Sequence, residues 1–345
     1  MTESILWYVH AHGDGHLQRF RAVVPHLDVP VVVCSARADL VDRTSDLRCR
    51  AAVLSSDVDS FSEQGPGPFH HSPQSQVARR RMHELLDLID RHHCTTAVVD
   101  VSVETVVACR LAGMRIVALR QSGYRADDGH RLAHACADAV WVPQHRALEP
   151  FVGDLARVHY SGAFSRHDPT PIGRAAARLA VGWSTGCRHV VMVVGRGGTR
   201  FPISAWRAGD VPGGTQVHLV GLEQRWRRAG VESLGWVRDP QPLFAAADVV
   251  LTSAGWSSVH DVASARARMG VVAEDRPFDE QLVRARALHE AGLVVALDRW
   301  PEPSGLAGDL ERIEALDPAT WETFYDRSGA ARAAEIVRDV HGDGG

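Results

Sequence analysis

The sequence predicts an α/β protein built from two Rossmann-like domains, and three observations carry that expectation. The chain has 345 residues, room for two cores at about 150 residues per domain. Short apolar runs alternate with amphipathic segments in both halves, the pattern of parallel strands joined by crossover helices, with helices on both faces of each sheet. Several of these runs end in a glycine-containing turn that opens a helix, as at Gly13, Gly15 and Gly255.

The elements follow in order. Residues 5–10 form an apolar strand, and the turn at 13–15 leads into a helix reaching about residue 27. Strands are expected at 29–34 and 51–54. Residues 57–75 are rich in Ser, Pro, Gly and His and show no period. A loop of that length inside a compact domain is usually functional or mobile. Residues 76–92 are helical, with Ala78, Met82, Leu85, Leu86 and Ile89 on one face. A strand at 96–101, a helix at 103–111 and strands at 115–120 and 139–142 complete the first half. The second half repeats the alternation. Strands are expected at 189–194, 216–220 and 232–237, a short helix at 242–247, and a last strand at 294–297. Between them, residues 249–292 read as strand, turn, helix, strand, loop and helix. Residues 321–340 are helical, and the segment 159–167 is the expected domain boundary.

Composition narrows the function. Apolar residues make up 45% of the chain, ordinary for globular protein. The formal charge of −4 gives no basic footprint for nucleic acid. All 38 cationic side chains are Arg, which excludes a Schiff-base lysine and a P-loop lysine. With 19 His residues, net charge swings positive below about pH 6. Cys34, Cys49, Cys94, Cys109, Cys136 and Cys187 form no CxxC pair and read as buried free thiols in a reducing cytosol. The N-terminus lacks a signal-peptide pattern, and no stretch approaches the ~18 apolar residues of a membrane span. A cytoplasmic protein is expected. Arg79, Arg80 and Arg81 read as the solvated face of a helix, with peripheral contact to anionic lipid as the alternative.

Chemistry concentrates in a few loops. Gly255, Trp256, Ser257 and Ser258 fall at a helix start, with Asp261 one turn further in. The free N–H groups there attract a diphosphate, and a carboxylate one turn on can grip a ribose diol. Asp279, Glu280 and Gln281 stand at the next helix start, where such side chains can read sugar hydroxyls. The loop Gly195-Arg196-Gly197-Gly198-Thr199-Arg200 follows a strand as a phosphate-cradling turn should. Arg196 and Arg200 are its candidate diphosphate charges, and a plain tight turn is the alternative. Near the N-terminus, Gly13-Asp14-Gly15-His16-Leu17-Gln18-Arg19 follows the first strand. Its glycines let backbone approach a ligand, at the carboxyl edge where α/β sheets bind ligands. A dinucleotide fingerprint is a poorer match, because the third Gly of GxGxxG is missing. Asp57-Val58-Asp59 is a DxD without supporting context, and the pairs His70-His71 and His92-His93 lack metal-site spacing. No metal site is expected.

These segments resemble the GT-B glycosyltransferases. Residues 249–292 are similar to the nucleotide-sugar half of the N-acetylglucosaminyltransferases that make peptidoglycan lipid II (the family 28 C-terminal domain type). Residues 13–19 fit the Gly-x-Gly-His-x-x-Arg loop of UDP-sugar transferases and of the UDP-sugar hydrolases of pseudaminic acid synthesis. The resemblance is specific at 13–19 and 235–292 and covers the rest in pattern only. It implies two Rossmann-like domains facing across a cleft: 1–160 for the acceptor, 161–320 for the nucleotide sugar, and 321–345 as a helix crossing back to the first domain. It implies a UDP-sugar as substrate, with no cofactor, and a small-molecule or lipid-linked acceptor, with the 57–75 loop in its pocket. In plant-type members the histidine at the place of His16 is the base and an aspartate at a later strand end orients it; Asp100 holds the corresponding place. Asp100 as a cap of the following helix, shared with Glu104, stays open. Gly235-Trp236-Val237 resembles the segment whose backbone reads the base, and Trp236 either stacks on the base or packs. Trp256 departs from the small residue usual in the family, and Asp261 stands where glutamate is usual. The implied reaction is metal-independent, inverting sugar transfer. Alternatives are a nucleotide-sugar hydrolase, a non-catalytic nucleotide-sugar sensor and, least supported, an epimerase.

Overall fold

The computed structural model describes residues 3–56, 68–69, 75–152, 155–195 and 198–342. The chain divides into two compact units. The first comprises Met1–Arg146, Phe151–Gly162 and Ser328–Gly345, the second Ala147–Pro150 and Ala163–Arg327.

In the first unit, β1 (Ser4–Tyr8), β2 (Val31–Ser35), β3 (Cys49–Val53), β4 (Cys94–Asp100), β5 (Arg115–Leu119), β6 (Ala139–Val142) and β7 (Val158–Tyr160) form a seven-stranded sheet. Its order is β3-β2-β1-β4-β5-β6-β7, and every pairing is parallel. All five residues of β1 are buried, as a central parallel strand covered on both faces requires. One face packs Leu6, Tyr8, Ala97 and Val99 against the helices α3 (Gln76–His92) and α4 (Val103–Leu111). On the other, Trp7 meets Phe20 of α1 (Gly15–Val23) at 5.3 Å and Trp141 at 6.1 Å, both edge-on. Two further helices are α2 (Leu40–Thr44) and α5 (Asp128–Cys136). The helix α3 begins where the apolar period places it, capped by Ser75, whose Oγ accepts from Ala78 N at 3.1 Å. The apolar face differs by one position: Leu88 is buried and Leu86 is exposed. Arg81 also turns inward, its guanidinium over the Tyr8 ring at 5.1 Å and bonded to the Tyr8 hydroxyl, so the solvated face is Arg79 and Arg80 only.

The second unit holds β8 (Arg188–Val193), β9 (Thr215–Val220), β10 (Trp226–Arg228), β11 (Val231–Gly235), β12 (Val249–Ser253), β13 (Arg268–Val272) and β14 (Val295–Leu297), in the order β10-β11-β9-β8-β12-β13-β14. All are parallel except the β10–β11 hairpin. Its helices are α6 (Arg174–Val181), α7 (Ile203–Ala208), α8 (Gln241–Ala246), α9 (Trp256–Ser264), α10 (Glu280–Glu290) and α11 (Leu306–Glu314). Alternate strand residues feed two cores: Val191, Val250 and Met269 point to one face, and Val190, Met192 and Leu251 to the other, against Trp206, Trp300 and Ile313. The last described helix is α12 (Gly329–Gly342), which packs on α1, β4, β5 and β6 of the first unit. This helix begins later than residue 321. Residues Pro318–Thr323 form a 3-10 segment belonging to the second unit, because Trp321 and Tyr325 are buried in its core. Five other helices (α2, α5, α6, α7, α11) and two strands (β7, β10) are elements that the sequence reading does not place.

Candidate functional site

Both sheets are doubly wound outward from an inner strand, and each has a point where the winding reverses. In the first it lies between β1 and β4, in the second between β8 and β12. Ligands of open α/β sheets bind at the carboxyl ends of strands at this point. His16 and Asp100 lie at the first of these points and the Gly195 and Gly255 turns at the second, while Trp236 and Val237 follow β11 and Asp279–Gln281 follow β13.

In the first unit, Tyr8 pairs with Val99, so the loop after β1 and the end of β4 are neighbours. Gly13 takes a φ of +73° in that loop, which glycine adopts without strain. Gly15 starts α1 and His16 is its second residue. His16 Nδ1 stands 2.9 Å from Asp100 Oδ2, and Arg19, one turn further along α1, has Nε 4.0 Å from the same oxygen. Asp100 and Arg19 are each 1% exposed. Burial on its own raises the Asp100 acid, but Arg19, His16 and His10 together hold it down at about 2. A carboxylate held ionised near neutral pH against Nδ1 leaves Nε2 as the ring nitrogen turned away from Asp100. That arrangement suits an imidazole that accepts a proton at Nε2 and is stabilised as imidazolium. The α4 cap is Ser102, whose Oγ accepts from Thr105 N at 3.2 Å, so the helix start does not use Asp100. The residue between them, Val101, has a φ of +58°, a strained conformation for a β-branched side chain.

Sequence reading missed the residue that holds this loop. Arg37, just beyond β2, donates to Gly13 O at 2.6 Å and to Asp14 Oδ1 at 2.9 Å. Nothing local in the sequence marks it, since the contact spans 24 positions.

In the second unit, Gly195 follows β8 and Gly255 caps α9. Ser253 Oγ lies 3.7 Å from the position a Cβ would take at either glycine, and Gln281 Nε2 lies 3.7 Å from that of Gly255. Three of the four segments read as donor-binding, at Gly195, Gly255 and Gln281, therefore converge at the carboxyl edge. Among the described residues, Ser257 Oγ and Thr252 Oγ1 are buried without a hydrogen-bond partner, polar atoms of the kind that a bound group satisfies. Ser258 is half-buried beside them. Arg196 and Gly197 lie outside the described residues. Gly198 has a φ of +87° and its carbonyl accepts from Arg276. Arg200 is directed at the 273–275 segment, donating to Ala273 O at 3.0 Å and standing 3.6 Å from Asp275.

Asp261 is 8% exposed. Its Oδ1 accepts from Ser165 Oγ at 2.6 Å, while Arg166 Nε and His167 Nε2 stand 3.4 and 3.7 Å from Oδ2. Burial would raise this acid, and its contacts with His167, Arg166 and Ser165 outweigh that and lower it. One carboxylate oxygen is thus already engaged within the protein. Trp256 is core: 7% exposed, it meets Phe164 at 5.0 Å and His260 at 4.7 Å. Trp236 is half exposed at 49%. Val237 is half-buried and lines a cavity of about 630 Å³ with Arg225, Trp226, Glu232 and Leu234. Asp279 is exposed and left-handed, φ +53°, directly after Phe278 at +61°. Two such residues in succession are strained, and they stand where the sequence places sugar recognition. Glu280 pairs with Arg284 at 3.1 Å, and Gln281 is buried with Oε1 accepting from Glu274 N.

Of the weaker motifs, Asp57-Val58-Asp59, His70-His71 and nearly all of the 57–75 loop lie outside the described residues. His93 is the left-handed C-cap of α3. No group of three potential metal ligands occurs among the described residues, and no described helix is long and apolar enough to cross a membrane.

No protein-family model matches the chain, and no curated protein matches it. Solved structures do. The calicheamicin glycosyltransferase CalG4 is similar at 15% identity and a TM-score of 0.68, over 100% of both chains. MurG of Acinetobacter baumannii is similar at 14% and 0.69, over 98% of this chain and 99% of that one. Arabidopsis thaliana UGT89C1, solved with UDP, is similar at 13% and 0.68, over 98% and 99%. At these identities the likeness is one of fold. The chain has the GT-B fold, with two Rossmann-like units.

Proposed function

We propose that this protein is a glycosyltransferase that moves a sugar from a nucleoside diphosphate sugar to an acceptor hydroxyl. The observation that carries the reading is the His16–Asp100 pair, an imidazole set against a buried, ionised carboxylate at the switch point of the first sheet. The fold of the similar structures and the converging loops of the second unit supply the donor half. UDP is the nucleotide favoured, on the resemblance at 235–292 and on the ligand named for the plant structure. The sugar expected is a hexose or N-acetylglucosamine.

The acceptor oxygen loses its proton to His16 Nε2 and bonds to the anomeric carbon. The bond to the diphosphate oxygen breaks in the same displacement, which inverts that centre. The free N–H groups at the start of α9 and the amides after β8 stabilise the departing charge, so the chemistry runs without a metal ion. The acceptor is a small molecule or a lipid-linked one, and the enzyme acts in the cytoplasm, with peripheral membrane contact where the acceptor is lipid-linked. UDP release without any acceptor would mark a hydrolase instead.

The test is a melting panel of nucleotides. UDP at 100 times its dissociation constant adds about 2.7 kcal/mol to folding stability, and NAD and NADP add nothing. A shift with NAD or NADP and none with UDP overturns the reading. A second expectation concerns Asp261, proposed to hold the ribose through Oδ2, the oxygen beside Arg166 and His167. Asp261→Ala should weaken UDP binding by ~1–3 kcal/mol, the scale of hydrogen bonds lost at a charged group. Unchanged affinity in calorimetry would leave Asp261 as an anchor for Ser165 and His167 alone.

A further inference from the structure

Glu274 lies two residues beyond β13 and is 5% exposed. Its Oε1 accepts from Thr199 Oγ1 at 2.6 Å and from Trp300 Nε1 at 2.7 Å. The backbone N–H of Arg200 is shared between its two oxygens at 3.2 and 3.3 Å, and Arg200 Nε stands 3.6 Å from Oε2. Its own backbone N–H donates to Gln281 Oε1 at 3.0 Å. Gln281 Nε2 lies 3.7 Å from the position a Cβ would take at Gly255. The Glu274 carboxylate thus ties the loop after β8 to Trp300, and its main-chain N–H ties the same segment to Gln281 at the start of α10, beside the Gly255 turn. Burial would raise its acid, and the donors from Thr199, Trp300 and Arg200 hold it lower. Charge-assisted bonds of this kind are the stronger class.

We propose that Glu274 is a positioning residue for the nucleoside diphosphate, fixing the backbone of residues 198–201 and linking it to Gln281. The diphosphate then meets two sets of amides, after β8 and at the start of α9, at one set spacing. This inference rests on the donor reading above. Its physical basis is preorganisation: a polar cradle works when its supporting bonds lock it before the ligand arrives.

Calorimetry with UDP tests it on the full chain. Glu274→Ala should raise the dissociation constant about 10- to 100-fold, the scale of a hydrogen bond at a charged group left unmade. Glu274→Gln should recover part of that loss. Its amide oxygen still accepts from Thr199 and Trp300, while its NH2 faces the Arg200 N–H. Thr199→Val should weaken UDP on its own and should be non-additive with Glu274→Gln, because both act through one network. UDP affinity within twofold of wild type in folded Glu274→Ala and Glu274→Gln, with only the unfolding midpoint lowered, overturns the proposal and leaves the donor reading standing. Additive losses overturn it also. Wild-type protein that binds no nucleoside diphosphate overturns both. Should Glu274→Ala fail to fold, Glu274→Gln and Thr199→Val decide by the same criteria.

Discussion

His16→Ala should lower turnover by about 10²–10⁴-fold, the range for loss of a general base, while UDP affinity stays near wild type. A base acts in the transition state, so its removal separates turnover from donor binding. The geometry supports a clean variant. His16 sits in the first turn of α1, and its contact with Asp100 is at the ring nitrogen facing inward. Turnover is best read with an accepted acceptor, or as UDP release if water is the acceptor. Near-normal turnover would remove His16 as the base. A parallel fall in UDP affinity would make it a phosphate ligand. Asp100→Asn should show the same signature with a smaller loss, since the amide keeps the shape and surrenders the charge that stabilises imidazolium. Ser102 caps α4, so the helix start should survive this substitution. A fully active Asp100→Asn would leave Asp100 as a neighbour of Arg19 only.

Gly221→Ala should be among the most damaging substitutions in the second unit. Gly221 follows β9 with a φ of +95°, and a Cβ there would lie 2.1 Å from Val194 O. Its N–H also donates to Gly235 O at 2.8 Å, so the backbone cannot swing away without breaking the join between the ends of β9 and β11. The left-handed conformation costs an L-residue about 1–2 kcal/mol, and forced overpacking costs about 1–3 kcal/mol more. Val194 leads directly into Gly195, so UDP binding should fall with stability. Gly292→Ala is the matched comparison. Its φ is +70° and nothing lies within 4 Å of the added methyl, so only the conformational cost should appear. Urea unfolding and UDP calorimetry on both variants check this. Equal losses at the two sites would show that the close approach to Val194 carries no weight.

Much of this protein was legible before its structure. Apolar runs ending in glycine turns placed β1, β8 and β12, and the period of residues 76–92 placed α3. Gly13, Gly15, Gly195 and Gly255 stood out because backbone freedom at a strand end is written in residue type. The short elements were not legible. In β10, three residues, or α7, six, too few positions exist for a period to show. The returning helix was placed too early because Trp321 and Tyr325 look helical in sequence yet are claimed by the core of the second unit.

The sequence by itself determined most of the strands and the glycine turns that end several of them, and it named the side chains expected to carry the chemistry. Tertiary structure alone decided which of them meet. His16 and Asp100 are brought within 2.9 Å because β4 pairs with β1, and no local pattern states that pairing. Trp256 became core only when Phe164 and His260 closed on it. Arg37 and Glu274 gained their roles from partners 24 and 75 positions away. The physical reason is common to all of them: periodicity records which face of an element is buried, and the neighbour that buries it is chosen by the packing of the whole chain.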